Sequence, residues 1–310
     1  MRQGSWSSML LCGLLALAPL LLAGCGRSER AIAPGPEPGG GPLLIGLMPE
    51  KNIFAQIDRF ELLANYLASS TGRPVQLRIL SRYGNIIRNF ESDNLDGAFF
   101  GSFTYVLARR KLNVEVLARP ERPDGTSTYH GLLIARKDSG IRSVQDLRGK
   151  VFAFVDKATM AGYLFPLALL RKEGVADYER YFKEAYFAGT HEDVARDVLE
   201  RRAQAGALKN TVYEALVATD PGFRREVAIL ATSKKVPENG LAVRAAMPPG
   251  LKERIRSALL GMDRNPAGAA ALQSIGAVRF IPTRDEDYAP IDDYAREAGI
   301  DLDRYEYDNR

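Results

Sequence analysis

Two short segments of this 310-residue chain bring together groups that could hold an anion. In residues 151–174, VFAFVDKATMAGYLFPLALLRKEG, an apolar strand delivers the chain to a turn at Asp156-Lys157-Ala158, and Thr159 stands where a helix N-cap belongs. A helix start carries unpaired N–H groups and a partial positive charge, so it attracts phosphate-like anions. Lys157 adds a formal charge. The competing use of Thr159 is to cap its own helix. In the second segment, YFAGTHEDVARDVLERRAQAGALKNTVYEAL, another strand runs into Gly189-Thr190-His191-Glu192 and an amphipathic helix. His191 is one of two histidines in the chain, and a lone histidine is more often a structural hydrogen-bonder than a ligand contact. Its weight comes from the pairing: two such turns in consecutive strand–helix units converge on one side of a sheet, at the strands' carboxyl ends.

The same inventory argues against catalysis. There is no Gly-x-Ser-x-Gly elbow, no His/Cys/carboxylate cluster with metal-ligand spacing, and no Gly-x-Gly-x-x-Gly after the first strand. His191 beside Glu192 is a base without a nucleophile. Neither an enzyme nor a cofactor or metal is therefore expected. The 42 Lys and Arg against 38 Asp and Glu give a formal charge of +4, and the charges are interspersed. That balance carries no footprint for nucleic acid.

The elements that must position these turns follow from periodicity. LLIGLMP, at 43–49, reads as a buried strand ended by proline. Ile53, Ile57, Phe60, Leu63 and Leu67 then form a helix face that closes at Gly72 before Pro74. PVQLRIL is a strand, YGNIIRNFES a helix, LDGAFFG a strand, SFTYVLARRK a helix capped by Ser102, and VEVLAR a strand. This order implies an open parallel sheet with helices on both faces. TYHGLLIARK, at 128–137, is a long strand that could leave the first lobe, and SVQDLRGK packs a Ser143 cap and a Gly149 stop around a short helix. A second set follows: strand VFAFV, a helix from Met160 to Lys172, strand EAYFA, a helix from Glu192, strand QAGAL, helix NTVYEALVA and strand EVAILATS. GLAVRAAM, at 240–247, is the return strand, with three further helices after it. The tail DYAREAGIDLDRYEYDNR reads as a solvated helix and its fray. Lobe one is then 43–137 with 240–310, and lobe two is 138–239. Two crossings join them as a hinged clamp around a cleft.

The N-terminus places this clamp. One positive charge at Arg2 precedes an apolar run from Met9 to Leu22, shorter than a membrane span needs and laid out as a secretory signal. Leu22-Ala23-Gly24-Cys25 resembles the bacterial lipobox, which implies cleavage after residue 24 and lipidation of Cys25. Stable anchoring takes more than one acyl chain. Cys12, the other cysteine, leaves with the signal, so no thiol remains for a disulfide or metal. The remainder of 25–42, rich in Pro and Gly, reads as a flexible tether. The expected location is extracytoplasmic, on the periplasmic face of the inner or outer membrane. Gly26 supplies no acidic retention signal, which favours the outer one.

TYHGLLIARKDSGIRSVQDLRGKVFAFVD, the Gly-Tyr-Leu-x-Pro from Gly162 to Pro166, GTHEDVA, and GRPVQLRILSRYGNIIRNFESDNLDGAFFGSFTYVLARR together resemble the phosphate/phosphite/phosphonate-binding proteins that serve ABC transporters. The likeness covers most of 43–247. It implies an α/β, two-lobed type II periplasmic binding fold with a hinge and an interlobe cleft that closes on an oxyanion. The family's Ser-Thr-Ser-Gly-Tyr run falls on Thr159-Met160-Ala161-Gly162-Tyr163 and keeps only the first hydroxyl. His191 matches the ligand histidine of the family's Gly-Ser-His, and Tyr83 and Tyr105 fall in blocks that place cleft tyrosines. The acidic position of the Val-Asp-Ala strand is Gln204. A hydrogen bond to a charged group contributes roughly 1.5–3 kcal/mol. The missing hydroxyls therefore weaken phosphonate binding unless Lys157, Tyr129 or His130 compensates. Alternatively, Met160 and Ala161 admit a less polar ligand, or an anion held by amides. The implied function is a lipid-anchored, monomeric receptor that passes a phosphonate, phosphite or phosphate to an ABC permease. The alternative is a module feeding a sensor kinase or cyclase, or a diverged lipoprotein for another small ligand.

Overall fold

Short aliphatic runs alternate with amphipathic segments along the chain, and each adopts the element its period requires. The computed structural model describes residues 40–50, 53–80 and 82–307, the side chains of Ile53 and Asn85 excepted. Cys25, the signal expected at 1–24 and most of the tether expected at 25–42 lie outside the described residues.

Strands β1 (Leu43–Leu47), β2 (Val75–Ile79), β3 (Gly97–Phe100) and β4 (Val114–Glu121) alternate with helices α1 (Ile53–Thr71), α2 (Asn85–Ser92) and α3 (Ser102–Leu112). Next come β5 (Thr128–Tyr129), β6 (Gly131–Arg136), β7 (Val151–Phe154), α4 (Phe165–Lys172), α5 (Tyr178–Tyr181), β8 (Glu184–Phe187), α6 (His191–Leu199), β9 (Ala205–Lys209), α7 (Asn210–Thr219), α8 (Pro221–Glu226) and β10 (Val227–Thr232). The chain returns through β11 (Val236–Pro237) and β12 (Gly240–Arg244), and ends with α9 (Pro249–Leu260), α10 (Pro266–Ile275), β13 (Arg279–Pro282) and α11 (Ala289–Glu297).

The first sheet has the order β13-β4-β12-β3-β1-β2 and the second β10-β6-β9-β7-β8. In the first, β1 is parallel to β2 and β3, but β12 inserts antiparallel between β3 and β4, and β13 adds antiparallel to β4. The wholly parallel first sheet expected from the β-α order is thus corrected to a mixed one. Insertion needs a close approach: a Cβ on Gly97 would stand 2.7 Å from the Ala242 carbonyl oxygen, so only glycine lets β12 lie against β3 there.

The lobe boundary moves as well. The strand expected at 128–137 breaks at His130. β6 joins the second sheet against β9 and β10, while β5 pairs antiparallel with β11. The two crossings therefore pair with each other as a short ribbon between the sheets. Ser102 is the first helical residue of α3 rather than its cap, which is Gly101; the buried Ser102 hydroxyl donates to the Pro237 carbonyl at 2.5 Å. Periodicity did not predict α5, α8 or β13.

One face of the first sheet packs Leu43, Ile45, Leu47 and Phe99 against Leu63, Leu67, Leu251 and Leu259. Ile57, expected on that buried face of α1, is 39% exposed. The other face, with Phe90, Phe100 and Phe103, runs into an apolar core continuous with Phe152 and Phe154 of the second sheet, with Leu164 before α4 and with Ile291 of α11. The tail is not solvated as its composition suggests. Tyr294, Ala298 and Leu302 are buried, Arg110 of α3 pairs with Asp292 and Asp303, and the Tyr305 ring lies 5.6 Å from that of Phe103.

Candidate ligand-binding site

The carboxyl ends of β7, β8 and β9 lie side by side in the second sheet, and Lys209 at the tip of β9 reaches Glu50 in the loop after β1. After β7, the chain tightens around the buried Asp156. Its carboxylate accepts the Ala158 N–H at 2.8 Å, and its carbonyl accepts both the Thr159 N–H at 3.0 Å and the Thr159 hydroxyl at 2.6 Å. The helix then opens with a π turn at Met160–Leu164, closed by the Leu164 N–H on the Thr159 carbonyl at 3.0 Å, before α4 begins. A Cβ on Gly162 would fall 2.3 Å from Val155 Cγ2, so the turn can coil this closely only with glycine there. Thr159 is at the N-cap, yet its side chain makes no capping bond. Among the described residues no side chain caps the first-turn amides, and an anion is a natural partner for such groups. From the first lobe, the Thr104 hydroxyl donates to the Ala158 carbonyl at 2.9 Å.

His191 is the first residue of α6, whose cap is Thr190: the Thr190 hydroxyl accepts the Asp193 N–H at 3.0 Å. His191 is buried, and its Nδ1 accepts the Lys209 N–H at 3.2 Å. That bond assigns the ring proton to Nε2. Burial, reinforced by the nearby Lys209 charge and opposed by Glu50, lowers the imidazole to about 3, so near neutrality it is an uncharged Nε2–H donor. Its ring meets Tyr83 edge to face, with centroids 5.8 Å apart. The Tyr83 hydroxyl is buried with no hydrogen-bond partner among the described residues. Burial and the Glu50 charge push it well above its ordinary value, which keeps it a phenol. An orphaned buried hydroxyl is costly, and a polar atom placed against it would relieve that cost.

Lys209, at the tip of β9, is buried and hydrogen-bonds Glu50 at 2.9 Å and Glu238. Burial works to raise the Glu50 carboxyl, and the Lys209 ammonium outweighs it, holding Glu50 at about 2. Burial also opposes the Lys209 charge, but Glu238 and Glu50 raise it above the usual lysine value.

Thus Tyr83, Tyr129, Thr159, Met160, Ala161 and His191 are all buried, and the Tyr83 and His191 rings meet edge to face. Two other expected residues point elsewhere. The Tyr105 hydroxyl donates to Asp285 and its ring packs on Tyr288. The Lys157 ammonium lies 5.8 Å over the Phe187 ring, and its carbonyl accepts the Tyr305 hydroxyl at 2.9 Å. Gln204 accepts the Val151 N–H at 2.6 Å at the amino end of β7, the end opposite the cleft. His130 pairs through its backbone with Asn210. Sequence reasoning missed Lys209, Glu50, Glu238 and Thr104. Lys209 ends a strand before a helix, the rule that found His191, whereas Glu50 and Glu238 sit in loops without a pattern.

Two α/β lobes, a hinge ribbon and a cleft furnished from both lobes define a solute-binding protein of the type II periplasmic binding fold. The family model for the periplasmic substrate-binding protein of phosphonate ABC transporters matches residues 45–288, and the chain belongs to that family. It is 27% identical over 210 residues to the phosphate-import protein PhnD of Mycolicibacterium smegmatis, covering 64% of each chain. It is 24% identical to the phosphonates-binding periplasmic protein of Escherichia coli, across 67% of this chain and 62% of that one. The chain thus spans somewhat less than two thirds of these relatives. Among solved structures, a binding protein component of an ABC phosphonate transporter from Pseudomonas aeruginosa superimposes with a TM-score of 0.77 at 22% identity, over 84% of this chain and 87% of that one. PhnD1 of Prochlorococcus marinus in complex with methylphosphonate gives 0.74 at 22%, over 83% and 98%.

Proposed function

We propose that this chain is the extracytoplasmic receptor of an ABC importer, anchored through lipidated Cys25, and that its lobes close on a small phosphorus oxyanion delivered to the permease. The observation that carries the reading is one cluster: the neutral Nε2–H donor of His191, the orphaned Tyr83 hydroxyl and the helix start at Met160 uncapped by any side chain. Donors fixed before the ligand arrives need little reorganisation to bind an oxyanion. With the Thr159 hydroxyl already donating to the Asp156 backbone carbonyl, backbone amides supply what the missing loop hydroxyls would have supplied. The names of the relatives, a phosphate importer and a phosphonate-binding protein, support the same ligand class. The expected receptor is a monomer that binds no catalytic cofactor.

Calorimetric titration of the full chain in detergent with phosphate, phosphite and methylphosphonate tests this. At least one is expected to bind, and His191→Ala should weaken it by about tenfold or more, as loss of a hydrogen bond to a charged group requires. Binding of none of the three, or no effect of His191→Ala, would overturn the reading.

A further inference from the structure

Lys209 is a buried cation held by its own protein. Its Nζ donates to Glu50 Oε1 at 2.9 Å and to Glu238 Oε1, lies 3.3 Å from Asn239 Oδ1, and stands 4.4 Å from the centroid of the Tyr129 ring. Glu50 Oε1 also accepts Asn239 Nδ2 at 2.9 Å, and Arg122 lies 3.7 Å from the other oxygen of Glu238. Two carboxylates, an amide oxygen and an aromatic face around one point are the surroundings that an alkylammonium ion needs. The oxygens come from the loop after β1 and from the hinge segment, while the ammonium comes from the second lobe. A cavity of about 300 Å³ reaches this group, lined by Glu50, Arg122, Lys209, Glu238 and Asn239 but not by His191 or Tyr83.

We propose that Lys209 is a built-in amine: its side chain occupies an ammonium cage beside the oxyanion site, so that the cleft selects oxyanions without an amino group. An aminoalkyl phosphonate would bring a second ammonium against the first, with both carboxylates already engaged. An amine-free phosphonate or inorganic oxyanion meets no such conflict. The choice of ligand rests on the oxyanion reading above. The cage rests on the geometry alone.

The test uses the full chain carrying Lys209→Ala, which removes Cγ, Cδ, Cε and Nζ, the four heavy atoms of propylammonium. Thermal unfolding of this variant should begin below native, and propylammonium chloride should raise its midpoint saturably, beyond the effect of equal sodium or tetramethylammonium chloride. Lys209→Met fills the volume without charge and should show no such rise. If Lys209→Ala is unfolded alone, recovery from denaturant only with propylammonium is the same rescue. In competition binding, the affinity of 2-aminoethylphosphonate relative to its isostere propylphosphonate should rise at least about tenfold from native to Lys209→Ala. A propylammonium effect no larger than that of sodium chloride, or an unchanged ratio, overturns the proposal. Rescue by propylammonium, with phosphate, phosphite and every phosphonate tested left unbound by either form, upholds the cage and overturns the oxyanion reading instead.

Discussion

At the scale of single residues, the site depends on which atoms already have partners. His191 is held by the Lys209 N–H as a neutral donor, and its imidazole is lowered from 6.5 to about 3, chiefly by burial. The unfolded chain therefore takes up a proton near pH 6.5 that the folded chain refuses. This contribution to stability is fully present above that pH and is lost as pH falls toward 3. Between pH 6.5 and 5 the loss is roughly 2 kcal/mol. Glu50, lowered from 4.5 to about 2, acts in the same direction but only below that window. Urea unfolding of His191→Gln should show a shallower decline over pH 6.5 to 5 than native, and equal slopes would mean that His191 is not buried as a neutral ring. Such residues were legible where a strand hands over to a helix, because that junction aims side chains at the cleft. Tyr105 was not. A helix advances about 100° per residue, so while Thr104 reaches the Ala158 carbonyl, its neighbour is turned to Asp285.

At the scale of elements, the π turn at Met160–Leu164 combines two demands, a tight exit from β7 and an open helix start. Gly162→Ala places a methyl group into Val155 and should cost roughly 1–3 kcal/mol, the usual range for overpacking, with loss of oxyanion binding. Adding Val155→Ala should recover part of the stability in chemical denaturation; a neutral Gly162→Ala would show that the turn relaxes. The elements themselves were largely readable, because aliphatic runs and helical periods are local properties. Their pairing was not. Nothing local in GLAVR says that β12 enters between β3 and β4, since that depends on Gly97 leaving room for it from a distant part of the chain. β13 escaped notice because Arg279–Pro282 sets only Phe280 and Ile281 between an arginine and a proline, without the apolar run that marks the equally short β3 and β7.

At the scale of the whole molecule, the lipobox-like Leu22-Ala23-Gly24-Cys25 and the tether predict where the receptor works. Cys25→Ser should move the chain from the membrane fraction to the soluble fraction and abolish incorporation of labelled palmitate. Retention of both would place the anchor elsewhere. The general architecture was legible from two successive sets of strands and helices. The exchange of β6 to the second lobe was not, because a crossing strand looks the same on either side of a hinge. The docking of the tail was hidden by its charged composition, although Tyr294, Leu302 and Tyr305 provide its apolar contacts. The insertion of β12 also sets an order of assembly. Every strand of the second sheet lies within residues 131–232, so that whole sheet emerges from the ribosome before β12 does. The first sheet, although its strands begin at residue 43, stays split between β3 and β4 until residues 240–244 emerge. The lobe begun first is thus finished last, and its unpaired strand edges are what a nascent chain must shield in the meantime.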